Sequence, residues 1–248
     1  MTPEPDPVYA DARLAELYDL FDGRRDDLDL YEEIAAELGA QRVLDVGCGT
    51  GALALRLQAR NIDVVGVDPA AASIDVARTK PGAQEIAWVV GDATSIATAD
   101  HEVFDLAVST GNVVQGIVAH DDWVNTLSAL HNVVRPGGHF VFETRIPERR
   151  AWEGWTPEAS RQHGVTADGR PVETWNEVVD VDLPLVTFEA TFTFPDEQVV
   201  STSVLRFRSQ EEVVEDLERA GFVVRSIRDA PDRPDREWVF VAERVDLP

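Results

Sequence analysis

Apolar residues change their spacing along this chain, and each change marks a different kind of element. Leu14, Leu17, Tyr18 and Phe21 recur at helical spacing, so residues 10 to 21 read as an amphipathic helix. Leu30, Ile34 and Leu38 predict a second helix that Gly39 ends, after an acidic turn around Asp22 to Asp29. From there the apolar residues come in short runs at Val43 to Val46, Val64 to Val67, Ile86 to Val90, Phe104 to Val108 and Phe140 to Phe142. Runs of this length between helical stretches predict buried parallel strands. Asn132 to His139, with Arg135-Pro136-Gly137-Gly138, closes a helix before the fifth strand, expected over Phe140 to Thr144. Residues 146 to 166 then show little periodicity. Three strand-like runs follow, at Pro171 to Val181, Leu185 to Phe194 and Gln198 to Phe207. Thr187, Glu189, Thr191 and Thr193 alternate with Phe188, Ala190, Phe192 and Phe194, the period-2 mark of a sheet with one buried face. Ser209 and Glu212 form a capping box for a helix that Gly221 ends, and two last strands follow at Phe222 to Arg228 and Glu237 to Arg244.

The first apolar run leads straight into Gly47, Cys48, Gly49, Thr50 and Gly51, with a helical stretch behind. Alternating glycines let a chain turn sharply and let a ligand lie against bare amides. Strand, glycine loop and helix together open a nucleotide-binding βαβ unit. Gly47-x-Gly49-x-x-Ala52 also satisfies a dinucleotide fingerprint. Asp45 argues against that reading, because it would face a pyrophosphate. Two unit charges ~4 Å apart at an effective dielectric of ~20 interact by about 4 kcal/mol. A cationic ligand would be attracted instead. Asp68 closes the second run and can accept two ribose hydroxyls; Asp92 closes the third, where the bland alternative is a helix cap.

Val43-Leu-Asp-Val-Gly-Cys-Gly-Thr-Gly51 resembles the first motif of the class I S-adenosylmethionine-dependent methyltransferases, and the order Asp68, Asp92, Ser109 to Asn112, Arg135 to Gly138 matches that family downstream. The resemblance implies a Rossmann-like α/β fold: a seven-stranded sheet with a closing antiparallel hairpin, helices on both faces, and here an antiparallel β insertion after strand five. It implies S-adenosylmethionine as cofactor, contacted by Tyr18, Asp45, Gly47, Cys48, Gly49, Gly51, Asp68, Pro69, Asp92, Ala93, Ser109 and Gly111, with Asp92 accepting from the adenine amine. It divides the chain into a helical cap (1–40), a cofactor core (41–145 and 209–248) and a lid (146–208). The implied reaction is methyl transfer to a nitrogen or oxygen of a small molecule. Competing classes are a nucleoside-binding protein without turnover and a nicotinamide oxidoreductase. Asn112, Arg145, Trp152, Trp155 and Trp175 are candidate acceptor contacts, the tryptophans alternatively being the lid's own core. His120, His139, His163 and Glu143 are the candidate bases, with no catalytic residue assigned and no metal expected.

Charge narrows the partners. The 248-residue chain carries 22 Lys and Arg against 46 Asp and Glu, a net charge of −24, with Lys80 its only lysine. Such a surface repels nucleic-acid phosphates and anionic membranes, and Arg24-Arg25 and Arg149-Arg150 are too small to make a track for them. The single cysteine, Cys48, excludes an internal disulfide and fits a reducing compartment, the cytoplasm; its place between two glycines points to loop packing. The opening Met-Thr-Pro-Glu-Pro-Asp-Pro lacks the basic start and apolar core of a secretion signal, and no apolar run approaches a membrane span. A homodimer face on the β insertion is the alternative to a lid.

Overall fold

The computed structural model describes residues 5–23, 25–97 and 103–245; Arg24 of the first arginine pair and the opening residues of the signal-peptide reading lie outside them. Two helices form the start of the cap, α1 (Pro7–Ala10) and α2 (Ala12–Asp22), and α3 (Asp29–Glu37) follows the acidic turn. Asp11 begins α2 by accepting from the Arg13 amide, and Gly39 leaves α3 at φ +62°. The core then alternates: β1 (Arg42–Val46), α4 (Ala52–Gln58), β2 (Asp63–Asp68), α5 (Ala71–Thr79), β3 (Ala87–Val90), α6 (Ala93–Ala97), β4 (Phe104–Ser109), α7 (His120–Val133) and β5 (Val134–Arg145). The insertion contributes α8 (Pro157–Ser160), β6 (Gln162–Val165), β7 (Pro171–Asp182), β8 (Leu185–Thr193) and β9 (Gln198–Arg206); α9 (Gln210–Arg219), β10 (Phe222–Asp229) and β11 (Glu237–Arg244) complete the core.

The main sheet has seven strands in the order β10-β11-β5-β4-β1-β2-β3. β1 runs parallel to β2 and β4, β4 parallel to β5, while β11 is antiparallel to both β5 and β10. The closing hairpin is therefore present as expected. Alternate residues of the strands serve opposite faces. Leu44, Phe140, Phe142 and Phe240 pack under α7 and α9, against Trp123, Leu127 and Leu217. Val43, Val141, Val239 and Val241 pack under α3 and α4, against Tyr31, Ile34, Leu53 and Leu57. Among the described residues, no helix is long and apolar enough to cross a membrane.

Three local expectations are corrected. β5 begins at Val134, six residues before Phe140, because Val134 already pairs with Phe104; Arg135 to Gly138 is an excursion within the ladder, marked by a register shift between Phe104 and Leu106. Ser209 accepts from the Glu212 amide, but the Glu212 carboxylate turns to Arg206 at 3.0 Å, so only half of the capping box forms. Within 146–166, read as aperiodic, α8 and the edge strand β6 form; β6 carries His163 and Gly164, which give no apolar alternation. The insertion is a four-stranded antiparallel sheet, β6-β7-β8-β9. Its inner face lies on the cap: Val172, Ala190, Phe192 and Phe194 bury Leu14 and Leu17 of α2. The Val8 amide also donates to Ser201 at 2.9 Å.

Candidate active site

The carboxyl ends of β1 to β5 meet along one edge, where parallel α/β sheets place their ligands. Gly47, Gly49 and Gly51 turn the chain there at φ +72°, +52° and +81°. A Cβ on Gly47 would stand 2.4 Å from Val113 Cγ1, and one on Gly51 would stand 2.4 Å from the Trp88 ring. These two close the loop on its neighbours. A Cβ on Gly49, or on Gly111 at φ +70°, would meet nothing within 4 Å. Those two present bare backbone to open space. Cys48 packs toward Gly66, its thiol pushed well up by burial, in keeping with a packing role.

Three carboxylates follow the strands. Asp45 is 1% exposed and its Oδ2 has no hydrogen-bond partner. Burial, then the Asp68 carboxylate, raise its pKa to about 7, with the Ala54 amide opposing. An orphaned buried carboxyl beside an open cradle fits a ligand bearing positive charge. Asp68 accepts from the Gly49 amide through Oδ2 and from the Ala70 amide through Oδ1, both at 2.8 Å. It thus shapes the loop first, and each oxygen keeps a second lone pair for a ribose hydroxyl. Pro69 stands exposed beside it. Asp92 caps α6, its Oδ1 accepting from the Thr94 amide at 2.9 Å and the Ser95 amide at 3.3 Å, so the cap reading is realised. Ala93 is buried in the first turn of α6. The Ser109 hydroxyl donates to the Val46 carbonyl at 2.9 Å, tying the end of β4 to the end of β1.

A cavity of about 390 Å³ opens beside Gly111. Tyr9, 41% exposed, and the half-buried Tyr18 of the cap form one wall, ring centroids 6.0 Å apart, and desolvation raises the Tyr18 phenol. Arg25, ion-paired with Asp22 at 2.6 Å and Asp27 at 2.8 Å, forms another. Arg145, Arg233, Asp26 and Asp232 line the rest. Arg145 donates to Gln115 Oε1 at 2.8 Å and lies over the Trp155 ring, 5.4 Å from its centroid. Burial, with Arg233 contributing, lowers its pKa despite Glu237.

Behind the cavity runs a buried polar seam. Glu143 is 2% exposed, and burial followed by Glu237 raises its pKa. It accepts from the Gly111 amide at 2.7 Å, the Asn112 amide at 3.2 Å and the Tyr31 hydroxyl at 2.6 Å. Asn112, left-handed at φ 61°, donates through Nδ2 to Glu237 at 3.0 Å, and Arg233 donates to the same oxygen at 2.7 Å. The register explains the meeting: Glu143 pairs with Val239 and Arg145 with Glu237, which places all three charges on the α3 face.

The other candidates go elsewhere. Trp152 is buried on Phe207 at 4.7 Å, and Trp175 lies under Arg161 at 4.5 Å; both belong to the insertion's own packing. Only Trp155 reaches the cavity residues, through Arg145. Neither His120, His139 nor His163 lines the cavity. His120 sits 3.7 Å from Asp216 on α9, His139 is half-buried in β5, and His163 is exposed. Glu143 spends its oxygens on the seam and leaves no obvious base. Asn112 lies behind the cavity wall. Tyr9, Asp22, Arg25, Tyr31, Gln115, Arg233 and Glu237 were not anticipated. The signal for part of this set was present: Glu143, Arg145 and Glu237 are charges at inward positions of apolar strands.

A family model described as a methyltransferase domain matches residues 43–138. The ubiquinone biosynthesis O-methyltransferase of Alkalilimnicola ehrlichii is 32% identical over 119 residues, 47% of this chain and 47% of its own. This chain spans about half the length of such relatives. Among solved structures, DesVI of Streptomyces venezuelae superimposes with a TM-score of 0.75 at 22% identity, covering 93% of this chain and 98% of that one. The sugar N-methyltransferase KedS8 from Streptoalloteichus sp ATCC 53650 gives 0.71 at 21% identity, covering 92% and 93%. At those identities the structural likeness speaks for the fold. With motif order, strand order and the matched model in agreement, residues 43–138 carry a methyltransferase domain, and the fold is that of S-adenosylmethionine-dependent methyltransferases.

Proposed function

We propose that this protein transfers a methyl group from S-adenosylmethionine to a nitrogen or oxygen of a small molecule held in the cavity beside Gly111. One observation carries the reading. Gly111, just beyond the end of β4 on the strand edge that carries the glycine loop, has open space where a side chain would stand and is also a wall of the cavity. Asp45, the loop 47–51, Asp68, Asp92, Ala93, Gly111 and Tyr18 are the residues that would hold the cofactor, Asp45 answering its positive charge. When bound, it supplies an electrophilic methyl group with a neutral thioether as leaving group. The protein's part is to align the acceptor lone pair and exclude water, through the cap tyrosines on one side and Arg145 with Trp155 on the other. An amine lone pair needs no dedicated base, consistent with a cavity that none of His120, His139 and His163 reaches.

Calorimetry with S-adenosylhomocysteine and NAD tests the assignment. The expected outcome is saturable binding of the first and none of the second, weakened at least tenfold by Gly49→Val, which strains a left-handed position, or by Asp68→Ala, which releases the Gly49 and Ala70 amides. Tight NAD binding without S-adenosylhomocysteine binding would replace the reading with an oxidoreductase. Cofactor binding without turnover of any amine or hydroxyl acceptor would leave a nucleoside-binding protein.

The β insertion, residues 146–208, is read as the lid over this cavity. A second reading has its own observation: Val179 and Val181 at the far end of β7 and Leu183 in the turn beyond it stand 56%, 43% and 56% exposed, and they suit a homodimer face. Light scattering distinguishes the two.

A further inference from the structure

Arg145 is the cavity's one guanidinium that lacks a close carboxylate. Arg25 is held by Asp22 and Asp27, and Arg233 by Glu237 at 2.7 Å and Asp232 at 3.0 Å. The nearest carboxylate to Arg145 is Glu237, 3.7 Å from Nε, and its Oε1 already serves Arg233 and Asn112. Of five N–H donors, Arg145 spends one, on the neutral amide oxygen of Gln115. The residue lines the cavity with its side chain 21% exposed, and its other nitrogens are not among the buried atoms that lack partners. The group is nevertheless fixed. Gln115 is 0% exposed and grips one end, and the Trp155 ring backs the plane. A planar fork held beside an aromatic ring at a cavity wall can receive two oxygens of an anion side by side.

We propose that Arg145 is an oxyanion subsite for the acceptor: the molecule methylated here carries a carboxylate or phosphate group that docks on this guanidinium. The inference rests on the methyltransferase reading, because that reading makes the cavity beside Gly111 the acceptor's. The surrounding charges sharpen it. Asp22 and Asp27 neutralise Arg25, and Asp232 with Glu237 neutralises Arg233, so Arg145 is the cavity guanidinium left for the acceptor's oxyanion, which would fix its orientation.

The test saturates the protein with S-adenosylhomocysteine and titrates malonate in one arm and inorganic pyrophosphate in the other, by calorimetry. One arm is expected to bind saturably, with affinity falling as salt rises, and the arm that binds identifies the kind of oxyanion. Arg145→Gln should weaken that binding at least tenfold, and Arg145→Lys should fall between, since it keeps the charge and loses the fork. Affinity of both variants for S-adenosylhomocysteine should stay within twofold of wild type, which also certifies their fold. Equal probe binding by Arg145→Gln, or no binding of either probe to the wild type, overturns the proposal. So does competition between probe and S-adenosylhomocysteine with loss of nucleoside affinity in Arg145→Gln, which would assign the guanidinium to the cofactor's carboxylate. Failure of the wild type to bind S-adenosylhomocysteine at all is a different result: it removes the proposed function first, and this inference with it.

Discussion

Asp45 titrates where its ligand would feel it. Its pKa in the folded protein, about 7, stands above the ordinary 3.8. A raised acid favours the folded state while it is protonated, so its contribution is complete below about pH 4 and is lost as pH rises through 7. A cationic ligand needs the ionised form, so its affinity should rise across the same window. Comparing wild type with Asp45→Asn isolates the effect: the wild type should bind S-adenosylmethionine more tightly at pH 8 than at pH 6, and the variant should bind weakly at both. Parallel pH profiles by calorimetry would show that Asp45 does not face the ligand. At Glu143 the prediction concerns stability. Tyr31→Phe removes the 2.6 Å donor to a buried carboxylate and should cost about 1–3 kcal/mol in denaturant melts. It should also lower turnover, because the same carboxylate holds the Gly111 and Asn112 amides.

Among the elements, α2 is the joint. Leu14 and Leu17 face the insertion, and a Cβ on Gly164 of β6 would stand 2.8 Å from Leu20 Cδ2. Cap and insertion therefore share a core, which changes what removing the insertion should do. Excising Trp152 to Arg206 with a short Gly-Ser bridge leaves the main sheet and both of its packed faces, so cooperative unfolding should persist. It strips the apolar cover from α2, so amide exchange over residues 7–22 should accelerate, and acceptor turnover should vanish. Unchanged exchange there would show that the cap stands alone. A dimer that becomes a monomer with turnover intact would favour the interface reading. The alternation around Phe188 to Phe194 made β8 legible in the sequence, as the Val-rich runs made β1, β2 and β4 legible. What these strands pack against was not written locally. Period-2 patterning names a buried face without naming its cover, and the cover lies some 170 residues away in α2. The same limit applies to the site. Gly47 to Gly51 and Asp68 each follow or close a single apolar run, so the turn and the strand-end acid could be read locally. The partners of Arg145 come from the short turn Val113–Gly116, a loop and β11, and depend on the β5–β11 register.

At the scale of the molecule, charge acts on everything at once. A net charge of −24 stores self-repulsion that salt screens, with a Debye length of ~10 Å at 0.1 M. The melting temperature should therefore rise from 20 mM to 300 mM NaCl in scanning calorimetry, and a fall would mean that the internal ion pairs outweigh the repulsion. Within that acidity one cation is singular. Lys80, at the end of α5, reaches Asp19 of α2 at 2.5 Å, and the other Asp19 oxygen accepts from Thr50 of the glycine loop at 2.6 Å. The N-terminal helix α2 is thus pinned to the glycine loop through the chain's single lysine side chain. An amine-directed dye therefore has one lysine to modify, and it sits on the latch between cap and loop. The rate at which that side chain takes up label would report how often the latch lifts, with no engineered probe, and a bound nucleoside that holds the cap down should slow it.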